Sequence, residues 1–262
     1  MTRPLITLTT DFGLSDHYVG TMKGVILKIC PAARIVDISH GIGAFEIAEA
    51  AFTLSQACGY FPRGTVHVAV VDPGVGTARR PVLVRADGQS FIAPDNGVLS
   101  MIYARTSHKV RAISADRYFL KPVSQTFHGR DIFAPVAAHL ASGVPPARFG
   151  KLIEDYLRLN LDKPERTGRR TWTGAILKVD RFGNVITNFK VEDFPDLGKR
   201  AFEMAAGPQR IEVLARNYAE RRRGELFLIA GSAGYYEISV SQASAAKLLG
   251  CATGAPLDLR LL

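Results

Sequence analysis

Three segments bring titratable side chains to points where apolar runs give way to glycine-rich or polar loops. Thr7-Leu8-Thr9-Thr10-Asp11-Phe12-Gly13 ends such a run on a carboxylate. In open α/β sheets the carboxyl ends of strands are where ligands bind. Two carboxylate oxygens also match a vicinal diol, although Asp11 or Asp16 could equally cap the helix that follows. Val70-Val71-Asp72-Pro73-Gly74-Val75-Gly76-Thr77-Ala78-Arg79-Arg80 repeats the pattern, with Asp72 after a buried-type run, a tight Pro-Gly turn and two arginines. A plain turn is the alternative there, and the segment lacks the Gly-Lys-Ser/Thr of a phosphate loop and the dinucleotide fingerprint. Ser124-Gln125-Thr126-Phe127-His128-Gly129-Arg130-Asp131-Ile132-Phe133 sets His128 at the start of a helical pattern. The helix dipole biases an imidazole there toward the neutral form, able to accept or relay a proton; a purely structural histidine is the alternative. Val179 to Asn188, containing Asp180-Arg181-Phe182-Gly183-Asn184, and Gly231 to Val240, containing Ser232 and Tyr235-Tyr236-Glu237, mix small, polar and aromatic residues at strand–turn junctions, as ordinary hairpins also do.

The elements that must position these groups follow from hydrophobic periodicity. From Leu5 to about Gly143, strand-length apolar runs at Leu5–Thr9, Arg34–Ile38, Thr65–Val71, Pro81–Val84, Ser90–Ala93 and Val110–Ile113 alternate with helical patterns at Tyr18–Cys30, Glu46–Cys58 and Asp131–Leu140. That order predicts an α/β domain with a central, mostly parallel sheet over residues 1–165, carrying Asp11, Asp72 and His128 at its strand ends. Past the polar stretch Asp162 to Gly168, short strands at Gly174–Val179, Asn184–Asn188, Arg210–Leu214, Leu226–Ala230, Tyr235–Val240 and Leu257–Leu261 are separated by turns, with one helical pattern at Ser244–Leu249. Residues 170–262 therefore read as a smaller antiparallel, barrel-like β domain.

Composition bounds the function classes. With 262 residues, 47% hydrophobic and 22% charged, the chain is an ordinary globular one rather than a disordered, collagen-like or disulfide-scaffold protein. A chain of this size buries about three quarters of its unfolded surface. Cys30, Cys58 and Cys251 are odd in number and lack Cys-x-x-Cys spacing, which fits a reducing cytoplasm and no thiolate zinc site. Neither a secretory leader nor a run of ~20 apolar residues is present, so neither secretion nor a membrane span is expected. Net charge is +9, with basic clusters at Lys163 to Arg170 and Arg221 to Arg223. They carry no interleaved aromatics of the kind a base-stacking platform needs, so a solvated basic surface is expected rather than nucleic-acid binding.

Taken together and in this order, the segments resemble the S-adenosyl-L-methionine (SAM) hydrolase (adenosine-forming) family, also called SAM hydroxide adenosyltransferases, relatives of fluorinating and chlorinating enzymes. Its most specific parts here are Asp72-Pro73-Gly74-Val75-Gly76 with Arg79, Phe127-His128-Gly129-Arg130-Asp131, and Arg181-Phe182-Gly183-Asn184. The resemblance implies attack of water on the ribose C5′ carbon of SAM, releasing adenosine and L-methionine without a cofactor or a metal. It implies Asp72, Arg79 and His128 as the polar set around the water, with Asp72 or His128 taking the proton. It further implies Asp11 on the ribose diol, Phe45 and Tyr218 near the nucleoside, Asp180, Asn184 and Ser232 around methionine and sugar, and Glu237 and Val240 near the adenine. Stacking on Tyr218 would contribute about 1–3 kcal/mol. A homotrimer with its sites between subunits is implied as well.

Departures from the halogenating relatives favour water as nucleophile. Those enzymes are expected to carry an aromatic residue in place of Asp72, a small hydroxyl residue in place of Gly129 in the fluorinating members, and a long insertion after the strand beginning at Pro81. Here only Arg85-Ala86-Asp87-Gly88-Gln89 links two strands, and a carboxylate at Asp72 repels halide while attracting water. Two other classes compete: a metal-dependent phosphohydrolase using Asp11, Asp16, His40, Asp72 and His128 as hard ligands, and a basic nucleic-acid-binding module.

Overall fold

The computed structural model describes residues 3–161 and 163–262, so Asp162 in the polar stretch lies outside the described residues. The chain divides into two compact units, Met1–Leu159 and Asn160–Leu262.

In the first unit, β1 (Leu5–Thr10), α1 (Tyr18–Ile29), β2 (Arg34–Ser39), α2 (Ile47–Cys58) and β3 (Val66–Val70) form consecutive βαβ turns. The chain continues through β4 (Pro81–Ala86), β5 (Gln89–Pro94), α3 (Ser100–Arg105), β6 (His108–Ala112), α4 (Ala134–Ala141) and β7 (Leu152–Ile153). The seven-stranded sheet runs β2-β1-β3-β5-β4-β6-β7. Its β2-β1-β3-β5 half is parallel, whereas β5-β4, β4-β6 and β6-β7 are antiparallel. The sheet is thus mixed rather than mostly parallel. The physical reason is the two-residue link Asp87-Gly88, both at positive φ (47° and 71°), which folds β4 directly back on β5. Turns with two left-handed residues match strand twist and close hairpins.

Two apolar layers flank this sheet. Met22 and Ile26 of α1 and Val136, Ala137 and Ala138 of α4 pack with Ile6, Leu8, Val68 and Val70 on one face. Ala50 and Leu54 of α2 and Ile102 of α3 pack with Ala69, Val71, Val82, Val84 and Phe91 on the other. Because alternate strand residues point to opposite faces, β3 contributes to both layers and is buried throughout, which fixes where Asp72 emerges. The segment read as a helix from Asp131 is a π-helical turn, Gly129–Phe133, running into α4. Such turns occur frequently at functional sites.

The second unit contains β8 (Glu165–Arg166), β9 (Thr171–Val179), β10 (Val185–Lys190), β11 (Phe202–Ala206), β12 (Gln209–Ile211), β13 (Leu214–Ala215), β14 (Leu226–Ala230), β15 (Tyr235–Val240), α5 (Ala245–Leu249) and β16 (Pro256–Leu261). They order as β12-β11-β16-β9-β10-β15-β14-β13, with β8 on β9. All pairs are antiparallel except β13 with β14. The long strand β9 pairs with β16 through Thr171–Ala175 and with β10 through Ile176–Val179, so the sheet bends there and curls into a half-barrel with β12 and β13 at its ends. Phe189, Met204, Ile238 and Leu259 fill its interior. Among the described residues no helix is long and apolar enough to cross a membrane.

Candidate active site

The first unit gathers its chemistry at the carboxyl ends of β1 and β3. Asp72 lies just beyond β3, and the loop it opens returns Arg79 beneath it: Arg79 Nε donates to Asp72 Oδ1 at 3.0 Å and Nη2 donates to Oδ2. The same Nη2 lies 2.8 Å from His128 Nδ1. Both Asp72 and Arg79 side chains are at least nine-tenths buried, and the Arg79 guanidinium lies 5.2 Å from the Phe133 ring centroid. Gly76 makes this possible. Its φ is +77°, and a Cβ at this position would lie 2.3 Å from the Gln125 carbonyl oxygen, which leaves room only for glycine. The Asp72 loop therefore packs directly onto the segment leading to His128.

A guanidinium can only donate hydrogen bonds. His128 must therefore accept at Nδ1, and a neutral ring carries its proton on Nε2. Burial, and then the Arg79 charge, hold the His128 pKa below its ordinary value, with Asp72 acting in the opposite direction. The imidazole is thus kept neutral beside a carboxylate that is gripped on both oxygens.

Asp72 and His128 line a cleft of about 400 Å³ together with Asp11, Phe12, Tyr18, Phe45 and Phe127, among others. Asp11 does not cap α1, whose N-cap is His17 without a side-chain cap bond; nor does Asp16. Instead Asp11 Oδ2 accepts the Phe45 backbone N–H at 2.9 Å. Phe45 is held at φ +68° with an exposed ring. Sequence reasoning does not single out Phe12 or Tyr18, which pack against Phe127 with centroids 5.9 and 5.1 Å away. Their signal is adjacency: Phe12 follows Asp11, and Tyr18 opens the next helix.

In the second unit Asp180, Asn184, Tyr218, Ser232, Glu237 and Val240 all line one cleft of about 750 Å³, with Phe182, Gln242, Ala243 and Ser244. Asp180 shapes the turn: Oδ1 accepts the N–H groups of Phe182 and Asn184 at 2.9 and 2.8 Å, and Oδ2 accepts Asn184 Nδ2 at 2.9 Å. Glu237 is buried, and Tyr218 Oη donates to its Oε2 at 3.2 Å. Burial is the main force raising the Glu237 pKa; the Tyr218 bond opposes it and the Asp180 charge adds to it. Burial likewise raises that of the Tyr218 hydroxyl, helped by the charge of Glu237. Gly231 leaves room for the Glu237 carboxylate, since a Cβ there would lie 1.9 Å from Glu237 Oε1 and would force that side chain to move.

The hard-ligand set is not assembled. His40 is turned toward Thr10 and Asp37, and among the described residues no three His, Cys, Asp or Glu side chains are grouped to hold a metal ion.

Asp11 and Asp72 stand at the ends of the parallel strands β1 and β3, whereas Arg79 precedes β4 and His128 opens the π-helical turn rather than ending a strand. With a separate curled β unit lining its own polar cleft, this is the arrangement of a small-molecule enzyme of mixed α/β and β architecture. Sequence profiles sharpen that class: the SAM hydroxide adenosyltransferase N-terminal domain matches residues 6–150 and the C-terminal domain matches residues 174–258. The chain belongs to the SAM hydroxide adenosyltransferase family. It is 37% identical over 260 residues to the (R)-S-adenosyl-L-methionine hydrolase of Salinispora tropica, covering 96% of this chain and 95% of that protein. The fluorinase of Nocardia brasiliensis is 30% identical over 223 residues, 75% of this chain and 74% of that one. An uncharacterized conserved protein from Thermotoga maritima has a crystal structure similar at a TM-score of 0.86 and 37% identity, covering 97% of this chain and 99% of that chain.

Proposed function

We propose that this protein hydrolyses S-adenosyl-L-methionine to adenosine and L-methionine by attack of water on ribose C5′. The observation that carries the chemistry is that Asp72 and His128, both hydrogen-bonded to Arg79, line one cleft at the sheet's edge. The leaving group is a neutral thioether departing from a sulfonium, so no general acid is required. The demand falls on orienting one water and removing its proton.

The hydrogen bonds divide the labour. His128, committed as acceptor to Arg79, offers Nε2–H to the water oxygen and orients it. Asp72 takes the proton: Arg79 occupies one lone pair on each of its oxygens, and a carboxylate has about four acceptor positions. Arg79 touches neither substrate nor water; it holds the other two in register. Asp11 grips the ribose diol, with Phe45 beside the nucleoside. In the second unit Asp180 and Asn184 form the turn that meets the sugar and methionine, with Ser232. Tyr218 stacks on the nucleoside, and Glu237 and Val240 border the adenine. Water rather than halide is the nucleophile because Asp72 puts negative charge where a halide would sit, and because β4 and β5 are joined by Asp87-Gly88 alone.

The names of the hydrolase relatives specify the (R) sulfonium epimer, and we extend that preference to this chain. The same proposal includes a homotrimer working in the cytoplasm without cofactor or nucleic-acid partner. Three free cysteines support the compartment; the trimer rests on the family resemblance, and light scattering tests it.

The decisive experiment incubates purified protein with each SAM epimer in oxygen-18 water, with and without chelator. Labelled adenosine and unlabelled methionine, unchanged by chelator, are expected. Unconsumed SAM from a folded protein would overturn the assignment, and loss of turnover in chelator would reinstate a metal ion.

A further inference from the structure

His40 has no part in the reaction above, yet it ties together the two loops that form one wall of the cleft. It is 5% exposed. Its Nδ1 shares a 2.8 Å hydrogen bond with Thr10 Oγ1, which also accepts the Phe12 backbone N–H at 3.2 Å. Its carbonyl accepts the Gly13 N–H at 2.8 Å. Asp11 and Phe12 are therefore bracketed: Thr10 is fixed to His40 through a side chain and Gly13 through the main chain. On the other side of the ring, Nε2 lies 3.1 Å from Asp37 Oδ1, and Lys23 Nζ donates to Asp37 Oδ2 at 2.6 Å.

The register of β1 against β2 explains how His40 arrives there. Leu8 pairs with Asp37 but Thr9 pairs with Ser39, so β2 carries one extra residue, Ile38. A bulge of this kind re-aims the chain that follows it, and here it brings His40 level with Thr10. Downstream of His40, Phe45 donates its N–H to Asp11 itself. The carboxylate is thus held in a frame to which His40 contributes twice, through its ring to Thr10 and through its main-chain carbonyl to Gly13.

We infer that His40 is a positioning residue: through Thr10 and Gly13 it fixes the backbone that aims the Asp11 carboxylate, and so sets affinity for the ribose diol of the substrate. This rests on the assignment of Asp11 to the diol. A side chain that only filled space would affect all substrates alike, whereas one acting through Asp11 should matter only when a full diol is present.

The test measures KM and kcat of the wild type, His40→Ala, His40→Asn, Thr10→Val and Asp11→Ala with SAM and with its 2′-deoxy analogue, alongside thermal melting. His40→Ala and Thr10→Val are expected to raise KM for SAM about tenfold with kcat within about threefold, and to leave KM for the 2′-deoxy analogue within about twofold of wild type. His40→Asn, whose amide can replace Nδ1 toward Thr10, should recover most of the affinity. An Asp11→Ala variant with raised KM beside a His40→Ala variant with normal KM would overturn the inference and leave the diol assignment standing. An unchanged KM in Asp11→Ala would remove the diol assignment, and this inference with it. Equal losses on both substrates would show a merely structural role. Where His40→Ala fails to fold, Thr10→Val and His40→Asn carry the same comparison.

Discussion

Arg79 donates to His128 Nδ1 at 2.8 Å from the same nitrogen that grips Asp72, so one guanidinium sets both the tautomer of the imidazole and the orientation of the carboxylate. A lysine in its place offers a point charge without the planar fork. Arg79→Lys should lower kcat about 100-fold while KM for SAM stays within about threefold. Steady-state kinetics by chromatography checks this, and a change confined to KM would place Arg79 in substrate binding instead.

Asp72→Asn keeps the size of the side chain but removes its capacity to take a proton. Its kcat should fall by about 10²–10⁴ with substrate affinity largely retained, measured by single-turnover assay and isothermal titration. A variant that turns over normally would shift proton acceptance to His128.

The pH profile carries the sign of the His128 shift. Its folded pKa is lowered by burial and by Arg79, so the ring stays neutral through its ordinary titration range. The acidic limb of kcat should accordingly fall below pH ~6.5, the usual histidine value. A limb at or above that value would mean that burial and the Arg79 charge do not hold the ring neutral in solution.

Stability should have its own acid dependence through His67. This ring is fully buried, stacked on Phe91 at 4.9 Å and bonded to Thr7, and burial lowers its pKa to about 4. Between pH ~6.5 and about 4 the unfolded chain binds the proton and the folded one does not, so stability is full above that window and falls as pH drops through it. The loss amounts to about 3 kcal/mol at the acid end. Urea unfolding at several pH values measures it, and His67→Gln should flatten the dependence.

In the second unit, Gly231→Ala should displace Glu237, because the added methyl would occupy the space of its carboxylate. An increase of at least about tenfold in KM with a folded half-barrel is expected. Circular dichroism and titration with adenosine check it; unchanged affinity would take Glu237 out of the binding site.

Much of the fold is legible in the chain itself. β14 and β15 coincide with the apolar runs Leu226–Ala230 and Tyr235–Val240, because alternation against a core leaves a strong local pattern. The helix Ser100–Arg105 and the strand Phe202–Ala206 do not stand out: one is too short for a helical period, and the other is a five-residue run of modest hydrophobicity. Strand direction is only partly readable, because a buried apolar run looks the same whether its neighbour is parallel or antiparallel. Only the positive-φ pair Asp87-Gly88 distinguishes the two.

The sequence alone determined the residue types, their order and the strand ends on which Asp11 and Asp72 stand, because strand punctuation is local. It could not decide which atoms meet. That His128 accepts rather than donates at Nδ1, that Asp180 spends its carboxylate on its own turn, and that the His40 ring meets Thr10 and Asp37 all depend on how the backbone places each group in three dimensions. Such contacts are set by sheet register, turn geometry and packing, and none of these is written in the residue types of a single segment.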